Sequence, residues 1–398
     1  LLNNVQKRRS PNIPFGNKDV FVDAAEESVL TKEMAETVNG DFKMWYDSLS
    51  EGSVNLHVGS ERIQLEEFLK KQKLSLDQEV EYTIAFFDRE KIVATGSLGG
   101  RILKCIAVDE EYKYMGLSAK IVTQLTQKAY SRGKTHLFIY TKPENRKIFS
   151  DLGFYLVAEV PSKVILMENR PSGIKNYLKE IIQNDKQVNS SNGDINRSGA
   201  VIVNCNPYTL GHQYLIEYAA SKCQTLHIFV LHEDRSSFPS EVRYKLVKEG
   251  VKHLDNVVLH QGKDYIISDA TFPSYFIKEF QDVVETHARL DLELFTRYIA
   301  PTLGIQKRFV GEEPYCKVTA TYNRVMQEIL PKHGMELEVV HRMFNDGQPI
   351  SASRVRELIR EEKFDEVRKL IPETTFQFLL SPEAEGIIQR IKKDDKRH

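Results

Sequence analysis

Cysteine is scarce in this chain and never paired in sequence. The four residues, Cys105, Cys205, Cys223 and Cys316, lie far apart and form no CxxC, so neither a zinc knuckle nor the disulfide framework of a small secreted domain is suggested. A reducing cytoplasm is the expected location. No apolar run approaches the roughly 18 residues of a membrane span, and the opening stretch LLNNVQKRRSPN has no hydrophobic core of a signal peptide. A charge of one sign is missing too. With 55 Lys+Arg against 56 Asp+Glu the formal charge is −1, so no overall field draws the chain to nucleic acid or to an anionic membrane. Any anion it binds has to be gripped locally.

What is present is ordinary globular material. The chain has 398 residues, 41% of them hydrophobic and 28% charged, enough for two or three domains with buried cores. The main composition shift is QNDKQVNSSNGDINRSG, Gln183 to Gly199, a polar stretch that reads as a linker. It separates residues 56–182 from residues 200–398 and leaves residues 1–55 as an unassigned extension. Upstream, EYTIAFF and KIVATGSL read as a strand pair around Asp88-Arg89-Glu90, RILKCIAV as a third strand, Leu117 to Arg132 as a helix, THLFIYT as a strand, ENRKIFSDLGF as a short helix ending at Gly153, and KVILME as a last strand. That half is mixed α+β. Downstream, AVIVNC, TLHIFVL, KRFVGEE and MELEVV alternate with helices, including one from Glu241 to Leu254 with Ser240 as its N-cap. This alternation predicts an α/β, doubly wound parallel sheet, with ligands beyond the carboxyl ends of its strands.

Two stretches of the second half carry chemistry. In AVIVNCNPYTLGHQYLIEYAA a strand runs through Asn206-Pro207 into Thr209-Leu210-Gly211-His212 and then into a helix. Unpaired N–H groups at such a helix start attract phosphate, Gly211 allows close backbone approach, and His212 is placed to donate to a phosphoryl oxygen. In GQPISASRVRELI, Ser351 and Ser353 precede an apolar helix stripe, with Ser353 as the expected N-cap and Arg356 in the first turn. Two hydroxyls, free amides and a guanidinium suit a nucleotide's outer phosphates. Gly311 ends a strand where backbone could approach adenine. Arg235, Arg243, Asp264 and Asp291 are further candidates, with a surface ion pair or helix charge as the competing reading. His227, His253, His260 and His341 lack metal-ligand spacing, so no metal site is assigned.

Together, a TxGH turn and an ISxSxxR helix start resemble the HxGH nucleotidyltransferase superfamily. That resemblance implies that Thr209 and His212 address the α-phosphate while Ser351, Ser353 and Arg356 secure the departing pyrophosphate. The ordered blocks NCNPYTLGHQYLIEYAA, HEDRSSFPSEVRYKLVKEGVKHLDNVVLHQGKDYIISDATFPSYF, LDLELFTRYIAPTLGI, RFVGEEPYCKVTATYN and GQPISASRVR resemble citrate lyase ligases over most of residues 80–360. What that family implies is activation of acetate by ATP and Mg²⁺ to acetyl adenylate, then acetyl transfer to the thiol of a CoA-like group on the acyl carrier subunit of citrate lyase. Where relatives carry a basic residue before ISxS, this chain has His341-Arg342-Met343, so Arg342 or His341 takes that role. LKCIAVDEEYKYMGLSAKIV and NRKIFSDLGF resemble the GNAT acyltransferase fold. The loop Tyr114, Met115, Gly116, Leu117 and Ser118, with Asn145, is the implied site for the CoA-like group, and the half as a whole is expected to dock the pantetheine arm. Tyr114 replaces the first glycine of the usual GNAT loop. Two other readings compete: an adenylyltransferase making a dinucleotide or nucleotide-activated product beside an independent acyltransferase half, and a nucleotide-binding regulator of citrate lyase without turnover.

Overall fold

The computed structural model describes residues 49–393 apart from 78, 189–197, 233–235, 268–271, 278 and 314–316. Residues 1–48 of the extension, Arg235 and Cys316 therefore lie outside the described residues. The amino-terminal half contains β1 (Leu49–Ser53), α1 (Gly59–Lys71), β2 (Tyr82–Asp88), β3 (Lys91–Gly99), β4 (Ile102–Val108), α2 (Leu117–Ser131), β5 (Phe138–Thr141), α3 (Arg146–Asp151), β6 (Tyr155–Val160) and β7 (Val164–Glu168). Its sheet has the order β1-β2-β3-β4-β5-β7-β6. Every neighbouring pair is antiparallel except β4 with β5. The hairpin between β2 and β3 turns at Arg89, whose φ is +56°. Helix α2 buries Leu117, Ile121, Val122, Leu125 and Ala129, the stripe its spacing predicts. A Cβ at Gly96 of β3 would collide with Ile121, so that glycine lets the helix lie close on the sheet. This is the GNAT-like α+β arrangement, with β4, loop and α2 in the expected succession.

The second half begins with α4 (Gly173–Val188), which continues through the first residues of the stretch read as a linker, and β8 (Ser198–Val203) takes its last two. Then follow α5 (Leu210–Ser221), β9 (Thr225–Val230), α6 (Ser240–Gly250), β10 (Val257–Gln261) and α7 (Phe280–Leu294), which passes through a π turn (Phe295–Ile299) into Ala300–Leu303. After β11 (Ile305–Gly311), α8 (Lys317–Ile329) and β12 (Glu336–Val340), a hairpin of β13 (Phe344–Asn345) and β14 (Gln348–Pro349) leads to α9 (Ala352–Arg360), α10 (Phe364–Arg368), α11 (Glu373–Leu379) and α12 (Glu385–Lys393). The five-stranded sheet is parallel throughout, in the order β10-β9-β8-β11-β12. It is the doubly wound sheet the alternation predicts. Its strand order reverses between β8 and β11, and a crevice opens at such a switch point beyond the strand ends.

The halves share an apolar core that includes Val54, Phe138, Leu166, Phe229, Phe295 and Met335. Hydroxyls stitch them together, Tyr298 donating to Val157 O at 2.9 Å and Tyr275 to Tyr140 O at 2.9 Å. One cap differs from expectation. Ser240 is the first residue of α6 and Pro239 holds the cap position, without a side-chain bond; proline's fixed φ already sets the helix start.

Candidate functional site

A cleft of about 380 Å³ lies at the carboxyl ends of β8, β11 and β12. Thr209, Gly211, His212, Gly311, Ser351 and Ser353 all line it, so six of the expected residues, from segments some 140 positions apart, face one space. Gly211 makes this possible, because a Cβ on it would sit 3.2 Å from Ile350 O. The start of α5 thus lies against the backbone that enters α9.

Thr209 caps α5 from an extended conformation, φ −121° and ψ 167°, and its Oγ1 accepts from His212 N at 3.4 Å. Thr209 N donates back to His212 Nδ1 at 3.1 Å. This is a capping box with histidine where Glu or Gln usually stands. Because Nδ1 accepts from a backbone amide, the neutral ring carries its proton on Nε2. Burial, and secondarily the Arg342 charge, lower the His212 pKa from 6.5 to about 4. At neutral pH the ring is therefore an uncharged donor at the edge of the cleft.

At the other wall, Ser351 rather than Ser353 is the N-cap of α9, accepting from Arg354 N at 3.2 Å. Ile350 N bonds to Met343 O at 3.0 Å, which keeps the chain extended up to Ser351, so the helix begins one residue later. Ser353 sits in the first turn. Arg356 is only 7% exposed and donates to Asn206 O at 2.5 Å and Ser353 Oγ at 3.3 Å. Asn206 is buried as well, its Oδ1 accepting from Phe238 N at 3.0 Å. Asn206 and Arg356 therefore tie the two walls together from behind and do not line the cleft.

Arg342 does line it, with Nε donating to Glu312 O at 2.7 Å and the guanidinium paired with the Glu313 carboxylate. His341 lines it too, mostly exposed and resting on Glu312 at 3.1 Å, while Arg342 is the more buried of the two. Glu313, Tyr214 and Thr319 also line it; the sequence carried no signal for them, since they follow strand ends or lie on ordinary helix faces.

The remaining candidates fall elsewhere. Arg243 is fully buried and donates to the carbonyls of Asn204, Leu231 and Phe238 at 2.8, 2.9 and 3.0 Å, which fixes the loops leaving β8 and β9. Asp264 pairs with Arg101 at 2.9 Å. Asp291 is buried on α7, accepting from Ile267 N at 2.8 Å and from the Tyr322 hydroxyl. In the first half, Tyr114 and Gly116 both have left-handed backbone, φ +69° and +70°, and Tyr114 is 97% exposed. Asn145 Nδ2 donates to Thr141 Oγ1 at 2.9 Å. His227 and His260 are buried against each other at 3.1 Å. Among the described residues no helix is long and apolar enough to cross a membrane.

Residues 198–379 match the family model described as the citrate lyase ligase C-terminal domain. Over 323 residues, 80% of this chain and 92% of the relative, the sequence is 40% identical to citrate (pro-3S)-lyase ligase of Klebsiella pneumoniae. The chain belongs to the citrate lyase ligase family. A shorter match, 42% identical over 142 residues, covers 32% of this chain and 86% of phosphopantetheine adenylyltransferase from Staphylococcus saprophyticus. Among solved structures, an acyl-CoA N-acyltransferase from Pseudomonas aeruginosa aligns over 31% of this chain and all of its own, at 15% identity and a TM-score of 0.27.

Proposed function

We propose that the chain, an enzyme of this ligase family, activates acetate with ATP in the cleft of the second half and passes the acetyl group to the thiol of a CoA-like group on citrate lyase's acyl carrier subunit. A carboxylate is a poor electrophile toward a thiol. Attack of an acetate oxygen on the α-phosphorus forms an O–P bond and breaks the bond to the β-phosphate, giving acetyl adenylate and pyrophosphate. The thiol then attacks the acetyl carbonyl, loses its proton, and AMP departs.

The observation that carries this reading is the single cleft lined by both His212 and Ser351. His212 Nε2–H donates to an α-phosphoryl oxygen as charge builds there, and a neutral donor already in place needs no reorganisation. Thr209 fixes that ring. The pyrophosphate end lies toward Ser351, Ser353 and Arg342, with Arg356 bracing Ser353 from behind, while Gly311 leaves open space for the base. Mg²⁺, which supplies charge neutralisation between phosphates, would be held by phosphate oxygens and water rather than by a protein cage, because the cleft carboxylates Glu312 and Glu313 are already paired with His341 and Arg342. The acceptor thiol comes from the partner. Burial pushes Cys105 up to about 12 and Cys223 up to about 11, and raises Cys205 further, so these three are poor nucleophiles. The setting is the cytoplasm, where ATP and free thiols coexist.

The likeness to phosphopantetheine adenylyltransferase favours a second reading, adenylyl transfer to a phosphate ester instead of a carboxylate. Incubation with ATP, Mg²⁺ and a panel of short carboxylates separates the two. Acetate-dependent release of pyrophosphate is expected, with AMP following once a thiol acceptor is added; pyrophosphate release indifferent to acetate, or ADP formation, defeats the ligase reading.

A further inference from the structure

Strands β4 and β5 run parallel yet pair at only two positions, Ile102 with Phe138 and Leu103 with Ile139. Beyond these β4 continues to Val108 and β5 to Thr141, so their facing edges separate. Cys105 turns to φ +51° at that point, and the β3–β4 register shifts between Thr95 and Ser97, a bulge that bends β4 away. Backbone N–H and C=O groups on two such edges need other partners. An extended amide chain, such as a pantetheine arm, is chemically suited to a gap of this kind, as an added strand is to an open sheet edge.

The gap already has an occupant. Tyr275, from the second half, is 8% exposed. Its hydroxyl donates to Tyr140 O of β5 at 2.9 Å, so the phenol reaches into the space beside β5. Behind it, Tyr275 O accepts from Ser75 N at 2.9 Å and Ser75 Oγ at 3.3 Å. Ser75 O in turn lies 3.5 Å from Cys105 Sγ. Phe272 meets Tyr140 edge-on at 5.7 Å. Next to them Lys104 and Asp77 form a nearly solvent-free ion pair at 3.1 Å. Two segments of the same chain, one from each half, therefore fill the space an arm would occupy.

We infer that the opening between β4 and β5 is an internal joint, closed by Tyr275, and that the first half neither admits a CoA-type arm nor carries an acyltransferase activity of its own. This deepens the function proposed above and rests on it only for the route of the carrier, whose thiol reaches the adenylate without threading the first half. It replaces the expectation that this half docks the pantetheine arm, and leaves the Tyr114–Ser118 loop outside a closed gap. What the half does is seat the 272–277 stretch of the second.

The test is hydrogen exchange by mass spectrometry on the full chain, read in peptides covering Ile102–Val108 and Phe138–Thr141, with and without millimolar coenzyme A or pantetheine. Unchanged exchange in both peptides is expected, whatever happens in segments of the ATP cleft. Protection of either peptide by the probe overturns the inference. In Tyr275→Phe, which keeps the ring and deletes the hydroxyl bond to Tyr140 O, exchange of the Phe138–Thr141 peptide should rise about tenfold, the loss of one net hydrogen bond, while ATP–pyrophosphate exchange stays at the wild-type rate. Exchange at the wild-type level in that peptide overturns the joint. If the variant does not fold, the wild-type probe arm decides alone. Absence of acetate-dependent pyrophosphate exchange in wild type would defeat the proposed function and leave this result standing.

Discussion

His212→Ala separates a catalytic histidine from a helix cap. The ring does two things in the structure: Nδ1 accepts from Thr209 N and closes the capping box, and Nε2 is left for a ligand in the cleft. Losing the cap costs about 1 kcal/mol, which lowers the midpoint of thermal unfolding by roughly 2–4 °C for a domain of this size. Losing a preorganised donor to developing phosphoryl charge costs on the order of 10²–10³ in rate. The assay is acetate-dependent exchange of labelled pyrophosphate into ATP, run beside a melt. A modest drop in melting temperature with a hundredfold or greater fall in exchange, and a small change in KM for ATP, is the expected pattern. The pH profile adds a second check. A pKa of about 4 keeps His212 uncharged from pH 5.5 upward, so the wild-type rate should show no limb near 6.5 that disappears in the variant. A variant that melts lower yet exchanges within threefold of wild type would reduce the ring to a cap.

Arg342→Met should raise KM for ATP about 10- to 100-fold, the worth of one charge-assisted contact. It should also move any acid limb set by His212 upward, though not back to 6.5, because burial is the larger cause of that depression; an unchanged KM would remove Arg342 from the phosphate site. Ser351→Ala should cost about 1 kcal/mol as a lost N-cap and weaken ATP binding, whereas Ser353→Ala should weaken ATP with less effect on the melt; equal melts for the two would contradict the cap assignment. Acid should destabilise the fold through His227 and His260, whose pKa values burial lowers. The unfolded chain takes up protons near pH 6.5 that the folded pair refuses, so stability is full above 6.5 and falls as pH drops toward the folded values, by about 1.4 kcal/mol per pH unit for each proton. Urea midpoints measured from pH 7.5 to 5 should fall in wild type and fall less in His260→Gln.

Much of the second half could be read from sequence because its signals are local. A strand ending in NPYTLGH and passing straight into a helix reports its own turn, and a glycine beside a threonine cap reports a close approach. The parallel sheet followed from alternation alone. What stayed hidden depends on reach. Arg356 bonds to the carbonyl of Asn206, 150 residues away, and nothing near either residue announces it. Ser353 reads as the cap on paper, and Ser351 takes the position instead, after a bond from Ile350 to Met343 fixed by a two-residue hairpin too short to leave a periodicity. Arg243 is a further site candidate in the sequence, with a surface ion pair or helix charge as the competing reading, but three backbone carbonyls claim it. In the first half the succession β4, loop, α2 was plain, whereas the residue that fills the gap beside β4 comes from position 275, well outside that half.

Two chemical steps constrain how the reactants approach the cleft. On the proposed reaction, in-line displacement requires acetate to arrive opposite the departing pyrophosphate, which that proposal puts toward Ser351 and Ser353. The acetyl carbon of the adenylate then projects to the side from which acetate came. The thiol must attack that carbon, so the carrier's arm enters by the acetate route and cannot occupy it while acetate is still arriving. With the β4–β5 gap closed by Tyr275, the first half offers no second route between its strands. The expected order is therefore adenylate formation and pyrophosphate release before the arm engages. Pyrophosphate exchange should then proceed without any carrier, and a carrier whose thiol is blocked should compete with acetate. A blocked carrier that inhibits only once acetate is bound would mean that arm and acid occupy separate routes, and the single-entrance geometry would fall with it.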